Sequence, residues 1–500
     1  MRAKRKNVCQ DCRSRKLACD GAQPECSQCT LRRICCSGYK QEFVFVSDAS
    51  PKVKTQVESP STDPAPFLDA HELSHDQPSR SAPSVRTASL APSNEVGAPW
   101  TTRCCRNLED DVQFIVQHYA PTVTNIPAET SPYHNQICGA WVNVLPLVSR
   151  TRRNDQPLVS AIRTLATALR HHDLKGDVFQ PHILEMYCES LGHVGRALEE
   201  AHGAFQVEHC AAIMCLAVTD IVTPTLKSGW MTHVKGVGDL IEGLGPMPFS
   251  VGIMHTIFIG FRPLLLISSI LNRRGTFLAR EEWTIRPFDG QPTSIMQLLL
   301  NIACELPALL ERYYDIGDFS DASNFDAVER LWSDFRAILG SLREWERKSY
   351  SQASYPLVWS RPDPETSLPS SANALWFPNI MIANSLTHYW AFEIVVRMHL
   401  STLHRIIITT TGHDPQTYMN TCPELFNDKS LLTLADMICD STSYLIQPEM
   451  KLHGLGSAFF TLPTAFRVFK REQSHCSTRL ARCQQIIDLL ASRGIHFPRD

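Results

Sequence analysis

Beyond residue 107 apolar positions recur at helical spacing. "DDVQFIVQHY" opens on acids suited to a helix N-terminus, and "PLVSAIRTLATALRHH" sets Leu158, Ile162, Leu165 and Leu169 three and four apart, with Pro157 in the first turn and His171-His172 at the end. "NFDAVERLWSDFRAILGSLREWERK" puts Val328, Leu331, Phe335, Leu339, Leu342 and Trp345 on one stripe. The pattern predicts further helices over 380–404, 431–446 and 478–493, the last stopping at Gly494. Alternation of period two is scarce. The expectation is a large all-α helical body over 107–500.

The pattern is lost upstream of that body. From Ser47 to Trp100 there are eight prolines and ten serines, few aromatics and no sustained period, which predicts a disordered Pro/Ser-rich linker over 47–106. It leaves residues 1–46 as a separate head.

At 500 residues, 43% hydrophobic and 20% charged, the chain can bury a sizeable core and hold more than one unit. No apolar stretch follows Met1-Arg2-Ala3-Lys4-Arg5-Lys6, so a secretory signal is not expected. The longest apolar run, "FIGFRPLLLISSIL" from Phe258, is short for a bilayer and carries Arg262, so no membrane association is expected. A reducing, intracellular setting follows. Net charge is −3, but up to Lys40 ten Lys or Arg face only Asp11, Asp20 and Glu25. A basic head on an acidic body points to a polyanionic partner.

Of 18 cysteines, seven lie in the first 36 residues. In a reducing compartment such density points to metal or redox chemistry rather than disulfides. The head says one phrase twice: Cys9-x2-Cys12-x6-Cys19, then Cys26-x2-Cys29-x6-Cys36. Two intervening residues let both sulfurs of a pair converge on one ion, and six more bring round a third. Two tetrahedral zincs need eight sulfur bonds, and six thiolates supply them only if two sulfurs bridge. The spacing therefore implies a Zn2Cys6 cluster holding two Zn2+ ions, a small metal-stabilised module with almost no apolar core. Arg13, Arg15, Lys16, Arg32 and Arg33 would offset its net negative charge. Asp20-Gly21 and Pro24 suit the connecting loop, and Cys35 is surplus because only Cys36 reproduces the first half.

"CQDCRSRKLACDGAQPECSQCTLRRICCSGY" resembles the N-terminal DNA-binding module of the fungal Zn2Cys6 binuclear-cluster transcription factors, matching all six ligand positions, the basic stretch, Cys-Asp-Gly and the loop proline. The resemblance implies two short helices around two zincs, with Cys9 and Cys26 bridging. It implies that Lys16 reads CGG-like half-sites in the major groove, in keeping with a lysine donating to guanine O6 and N7. Arg13, Arg15 and the arm Lys4, Arg5 and Lys6 would hold phosphates. Many members dimerise through a coiled coil after the zinc module. No a/d heptads run from Phe43 to Trp100 here, so monomer and homodimer both stay open.

"GWMTHVKGVGDLIEGLGP" with "FIGFRPLLLISSILNRRGTFLAREEW" resembles part of the fungal-specific transcription factor regulatory domain, through Trp230, His233, Gly236, Gly245-Pro246, Phe258, Arg262, Phe277-Leu278 and Trp283. The implied function is a nuclear regulator of RNA polymerase II transcription, an activator recruiting coactivators, with metabolic or secondary-metabolite gene clusters as the expected targets.

The body carries no Gly-x-x-x-x-Gly-Lys-Ser/Thr, His-Glu-x-x-His or Gly-x-Ser-x-Gly, so no enzyme is expected. Gly236-Val237-Gly238 is a bare Gly-x-Gly. His171-His172-Asp173 and the trio His388, His399, His404 read as caps, surface or core, and Trp376, Phe377, Tyr389 and Trp390 as core. Two alternatives remain: a body that senses a small molecule or acts as an enzyme, with a pocket near Trp230 to Trp283, or a zinc-stabilised protein-interaction module.

Overall fold

The computed structural model describes residues 12, 19, 27–32, 107–121, 138–151, 155–175, 181–223, 229–317, 319, 321–362, 374–411, 430–472, 476–495 and 497. The predicted linker at 47–106 lies outside them. The chain divides into two compact units, Met1–Pro64 and Ala65–Asp500. In the first, Ser27–Leu31 form a short helix, α1, and Cys12 is helical.

The second unit begins with α2 (Leu108–Tyr119), capped where the acids predicted it. Asn107 accepts from the Glu109 amide at 3.3 Å, and Glu109, Asp110 and Asp111 occupy the first turn, where the helix dipole favours negative charge. Asp111 also turns inward to Arg170, whose Nη1 lies 2.6 Å from its Oδ1. After α3 (Leu145–Thr151), α4 (Gln156–Lys175) buries the predicted stripe of Leu158, Ile162, Leu165 and Leu169 and runs past His172 to Lys175. It packs on α2, α5 (Pro181–Glu200) and α6 (Val207–Val222). Helix α6 is buried on nearly every side, as its unbroken apolar run from Cys210 to Val218 requires.

Next come α7 (Gly229–Leu244), α8 (Gly252–Asn272), α9 (Glu281–Ile285), α10 (Ile295–Ala303) and α11 (Leu306–Asp315). By length and composition α8 could cross a membrane, but two thirds of its apolar window (67%) is buried inside the body, with Arg262 fully enclosed. It serves as a core helix. Helix α12 (Phe325–Gln352) buries all six predicted stripe residues against α10 and α13 (Ile380–Thr411). The run Ile406-Ile407-Ile408 helps carry α13 seven residues beyond the predicted His404.

Two expectations change. The helix predicted over 431–446 breaks at Ser441, giving α14 (Leu431–Asp440) and a single turn, α15 (Thr442–Leu445). The Ser441 hydroxyl donates to the Met437 carbonyl at 2.7 Å, competing with the ladder and easing the bend. A two-stranded antiparallel ribbon, β1 (Trp359–Arg361) and β2 (Ala374–Trp376), joins the otherwise helical body, with Trp359 opposite Trp376. Three-residue strands are too short for a period of two to register. Helices α16 (Lys451–Arg471) and α17 (Ser477–Ser492) close the fold. Gly494 ends α17 as predicted, at φ +86°, letting the Ile495 amide reach back to Leu490 at 3.0 Å.

Candidate metal centre and nucleic-acid interface

Three of the six predicted ligand positions are described, and each is buried. Cys12 is wholly enclosed, and Cys19 and Cys29 are each 3% exposed. Cys12 and Cys29, the second cysteines of their two phrases, both sit on helix, as a doubled Cys-x2-Cys repeat demands. Around Cys29, Ser27 and Arg32 are exposed, Gln28 is half-buried and Leu31 is 77% exposed. The Arg32 amide closes the last turn onto the Cys29 carbonyl at 3.2 Å.

Among the described residues of this unit the buried apolar positions are all cysteines, while the described leucine, Leu31, faces solvent. Thiolates gathered on zinc can supply folding free energy to a unit this small. The donor set fits Zn2+, for which sulfur is a preferred ligand. Cys9, Cys26 and Cys36 lie outside the described residues, as do Lys4, Arg5, Lys6, Arg13, Arg15 and Lys16.

In the body, the histidines singled out from sequence do not converge. His388 and His399 lie eleven residues apart on α13, about 16 Å along the axis. Each bonds the carbonyl one turn back through Nδ1, His388 to Asn384 at 2.9 Å and His399 to Val395 at 2.7 Å. Burial pushes both imidazoles down to about 4, so they are neutral at neutral pH. His399 stacks on Phe335 with ring centroids 5.4 Å apart, as a core residue. His404 is also buried on α13, and burial lowers its pKa too. His171 packs edge-on to His182, with centroids 6.3 Å apart, and the side chains of His172 and Asp173 lie outside the description. Among the described residues no three His, Cys, Asp or Glu converge on a metal position.

The aromatic candidates divide into two clusters. Trp376 and Phe377 meet Tyr444, and Phe377 also meets Trp390, whereas Tyr389 faces Trp345 and donates to Glu346 Oε2 at 2.9 Å. The stretch from Trp230 to Trp283 is packed with rings. Trp283 contacts Phe277, Phe249 and Phe258 at centroid distances of 4.7, 5.9 and 5.8 Å, and Trp230 meets Phe459 at 5.3 Å. Gly236-Val237-Gly238 is interior to α7, and a Cβ on Gly238 would come within 2.8 Å of Leu265. Its glycine serves helix packing, not a phosphate loop.

Sequence reading missed two pairings. The buried guanidinium of Arg262 is held by Gln297 and Asn301 of α10. Tyr187 of α5 bonds His233 Nε2 at 2.5 Å, and burial lowers that imidazole's pKa against the opposing pull of Asp220. Arginine inside an apolar run was the one visible signal; partners tens of residues apart leave none. A short match outside the body, His71-Glu72-Leu73-Ser74-His75, has the His-Glu-x-x-His spacing but lies outside the described residues.

Residues 7–43 match the fungal Zn(2)-Cys(6) binuclear cluster domain. A curated relative, the uncharacterized protein AN5342 of Emericella nidulans, is 20% identical over 169 residues, 32% of this chain and 36% of the relative. The chain thus spans little more than a third of that relative's length. No solved structure matches the chain. The family match covers all six cysteines of the doubled phrase, the buried Cys12, Cys19 and Cys29 among them. The chain therefore carries a Zn(2)-Cys(6) domain, the two-zinc, DNA-binding module of fungal zinc-cluster transcription factors.

Proposed function

We propose that this protein is a nuclear, sequence-specific regulator of RNA polymerase II transcription that reads CGG-like half-sites on double-stranded DNA. The reading rests on one observation: the family match over 7–43 coincides with a unit whose described buried apolar residues are all cysteines. In this scheme Cys9, Cys12, Cys19, Cys26, Cys29 and Cys36 hold two zincs, with Cys9 and Cys26 shared. Zinc holds the recognition helix together. Lys16 presents its ammonium to guanine O6 and N7, and Arg13, Arg15, Lys4, Arg5 and Lys6 neutralise phosphates.

The division of labour follows the sequence. Residues 1–46 bind DNA, 47–106 tether, and 107–500 form the regulatory domain through which the protein activates transcription by coactivator contact, as a monomer or a homodimer, at metabolic gene clusters. The region from Trp230 to Trp283 acts as regulatory scaffold rather than catalyst, in keeping with its ring packing. The test is selection from a random DNA library with the zinc-loaded full chain. Enrichment of CGG-containing sites, lost on chelation, is expected; no enrichment by chain with two zincs bound would overturn the reading in favour of a protein-interaction module.

A further inference from the structure

An apolar face lies where α7, α8 and α9 meet. The turn joining α7 to α8 runs over Met247–Ser250, and the Phe249 ring within it is buried against Phe258 and Trp283 at centroid distances of 5.6 and 5.9 Å. Two positions to either side, Met247 and Val251 are turned out, 62% and 60% exposed. The same turn packs on Arg286–Phe288, which directly follows Ile285, itself 49% exposed. Leu244, at the end of α7, is 39% exposed. An ion pair from Arg280 Nη2 to Glu242 Oε1 at 2.6 Å ties the start of α9 to that end of α7.

A singly exposed hydrophobe such as Leu147 is ordinary, but a group held together over packed rings marks a contact surface. Val251 is the N-cap of α8, where Ser, Thr, Asp or Asn would bond a free amide, yet it makes no side-chain cap and shows its methyls to water. Met247 adds a flexible, polarisable side chain of the kind that suits adaptable protein contacts. Local stability explains neither choice.

The charges around the face select the partner. Lys235 pairs with Asp239, Arg280 with Glu242 and Arg286 with Asp289. Glu281 and Glu282, both exposed, make no ion pair among the described residues, so the rim carries two carboxylates in excess. A second copy of the chain would bring the same carboxylates against these, and an anionic lipid surface would be repelled as well. A cationic partner is attracted instead.

We infer that this face docks a cationic amphipathic helix of a partner protein, with the apolar stripe of that helix on Met247, Val251 and Ile285 and its lysines or arginines over Glu281 and Glu282. The packed rings of Phe249 and Trp283 fix the face in advance, so little ordering is needed on this side. No residue of the zinc module takes part, so docking and DNA reading succeed or fail separately.

The test uses the zinc-loaded full chain and three fluorescent peptides about 18 residues long, enough to form a helix on binding. The first has leucine at i, i+3, i+4 and i+7 with lysine elsewhere, the second has glutamate in place of lysine, and the third scrambles the leucine–lysine order. Anisotropy titrations should show saturable binding of the first that weakens with salt, and binding of the other two weaker by about tenfold or more. Met247→Gln, Ile285→Gln and Val251→Ser should each weaken the first peptide by about five- to tenfold, while Leu147→Gln leaves it unchanged. The serine gives α8 a capping hydroxyl, so Val251→Ser should keep or raise the thermal midpoint and lose affinity without unfolding. Reversing both Glu281 and Glu282 to lysine should erase the preference for lysine over glutamate. Equal binding by the unaltered chain and the three face variants, or of the lysine and glutamate peptides, would overturn the inference. Self-association in sedimentation that Met247→Gln abolishes would also overturn it, because the face would then belong to a second copy.

Discussion

Arg262 on α8 donates from Nη1 to the side-chain oxygen of Gln297 on α10 at 2.9 Å, in a setting where both residues are fully buried. The same nitrogen reaches the Gln297 carbonyl at 3.3 Å, and the rings of Phe288 and Phe258 flank the guanidinium at 5.2 and 5.7 Å. The guanidinium is held by the neutral acceptors Gln297 and Asn301 and by two ring faces. It ties the helix with the most membrane-like composition into the body.

Gln297→Leu should therefore destabilise the body by about 2–4 kcal/mol, because it strips the side-chain acceptor from a charge that stays enclosed. Arg262→Met removes the charge itself, and the double variant should cost clearly less than the two single changes together. Urea denaturation of all four proteins measures this. Strict additivity would show that the pair is not coupled.

The imidazoles of His388 and His399 predict acid sensitivity. Both are lowered from about 6.5 to about 4 by burial, so the unfolded chain takes up protons more readily than the folded one. Their contribution to stability is complete above pH 6.5 and is lost as pH falls toward 4. The loss is on the order of 1 kcal/mol per pH unit for each histidine across that window. Unfolding midpoints from pH 7.5 to 4.5 should fall steeply below 6.5, and His399→Gln should flatten the slope. An unchanged slope in that variant would place the proton uptake elsewhere.

Zinc dependence should be confined to the N-terminal unit. Cys12→Ala or Cys29→Ala removes a buried sulfur from a segment whose described apolar burial is all cysteine, so zinc content should drop below two per chain and specific DNA binding should vanish. Far-ultraviolet dichroism of the body should hardly change, because its core rests on its own apolar side chains. Elemental analysis and a DNA-binding assay on the same samples decide this. Two zincs retained with either change would refute the ligand scheme.

The cysteine phrase was legible because metal ligation fixes both residue type and spacing, so six positions carried a complete chemical statement. The long helices were legible for a related reason. Val328 to Trp345 and Leu158 to Leu169 each bury one stripe, and a stripe leaves a period in the sequence. The break at Ser441 was hidden, since apolar residues continue on both sides and only a hydroxyl bond to Met437 marks the bend. Arg262 with Gln297 and Tyr187 with His233 were hidden too. They join residues 35 and 46 positions apart, and their proximity is a property of tertiary packing alone.

The last expectation separates reading from anchoring on DNA. Lys16 lies within the first cysteine triplet and Arg5 on the basic arm before it, so the proposed roles differ although both are cations. Lys16→Ala removes a base contact and should cost about 1–3 kcal/mol on the selected site, with little change on scrambled DNA. Base preference at the contacted guanine should relax accordingly. Arg5→Ala removes a phosphate contact, so affinity should fall alike for all sequences and the slope of log affinity against log salt should shrink by about one. Titrations of both variants on selected and scrambled duplexes, from low to moderate salt, measure the two effects separately. If both variants lost affinity equally on the two duplexes, Lys16 would be a second phosphate anchor and base reading would have to come from another side chain of the zinc module.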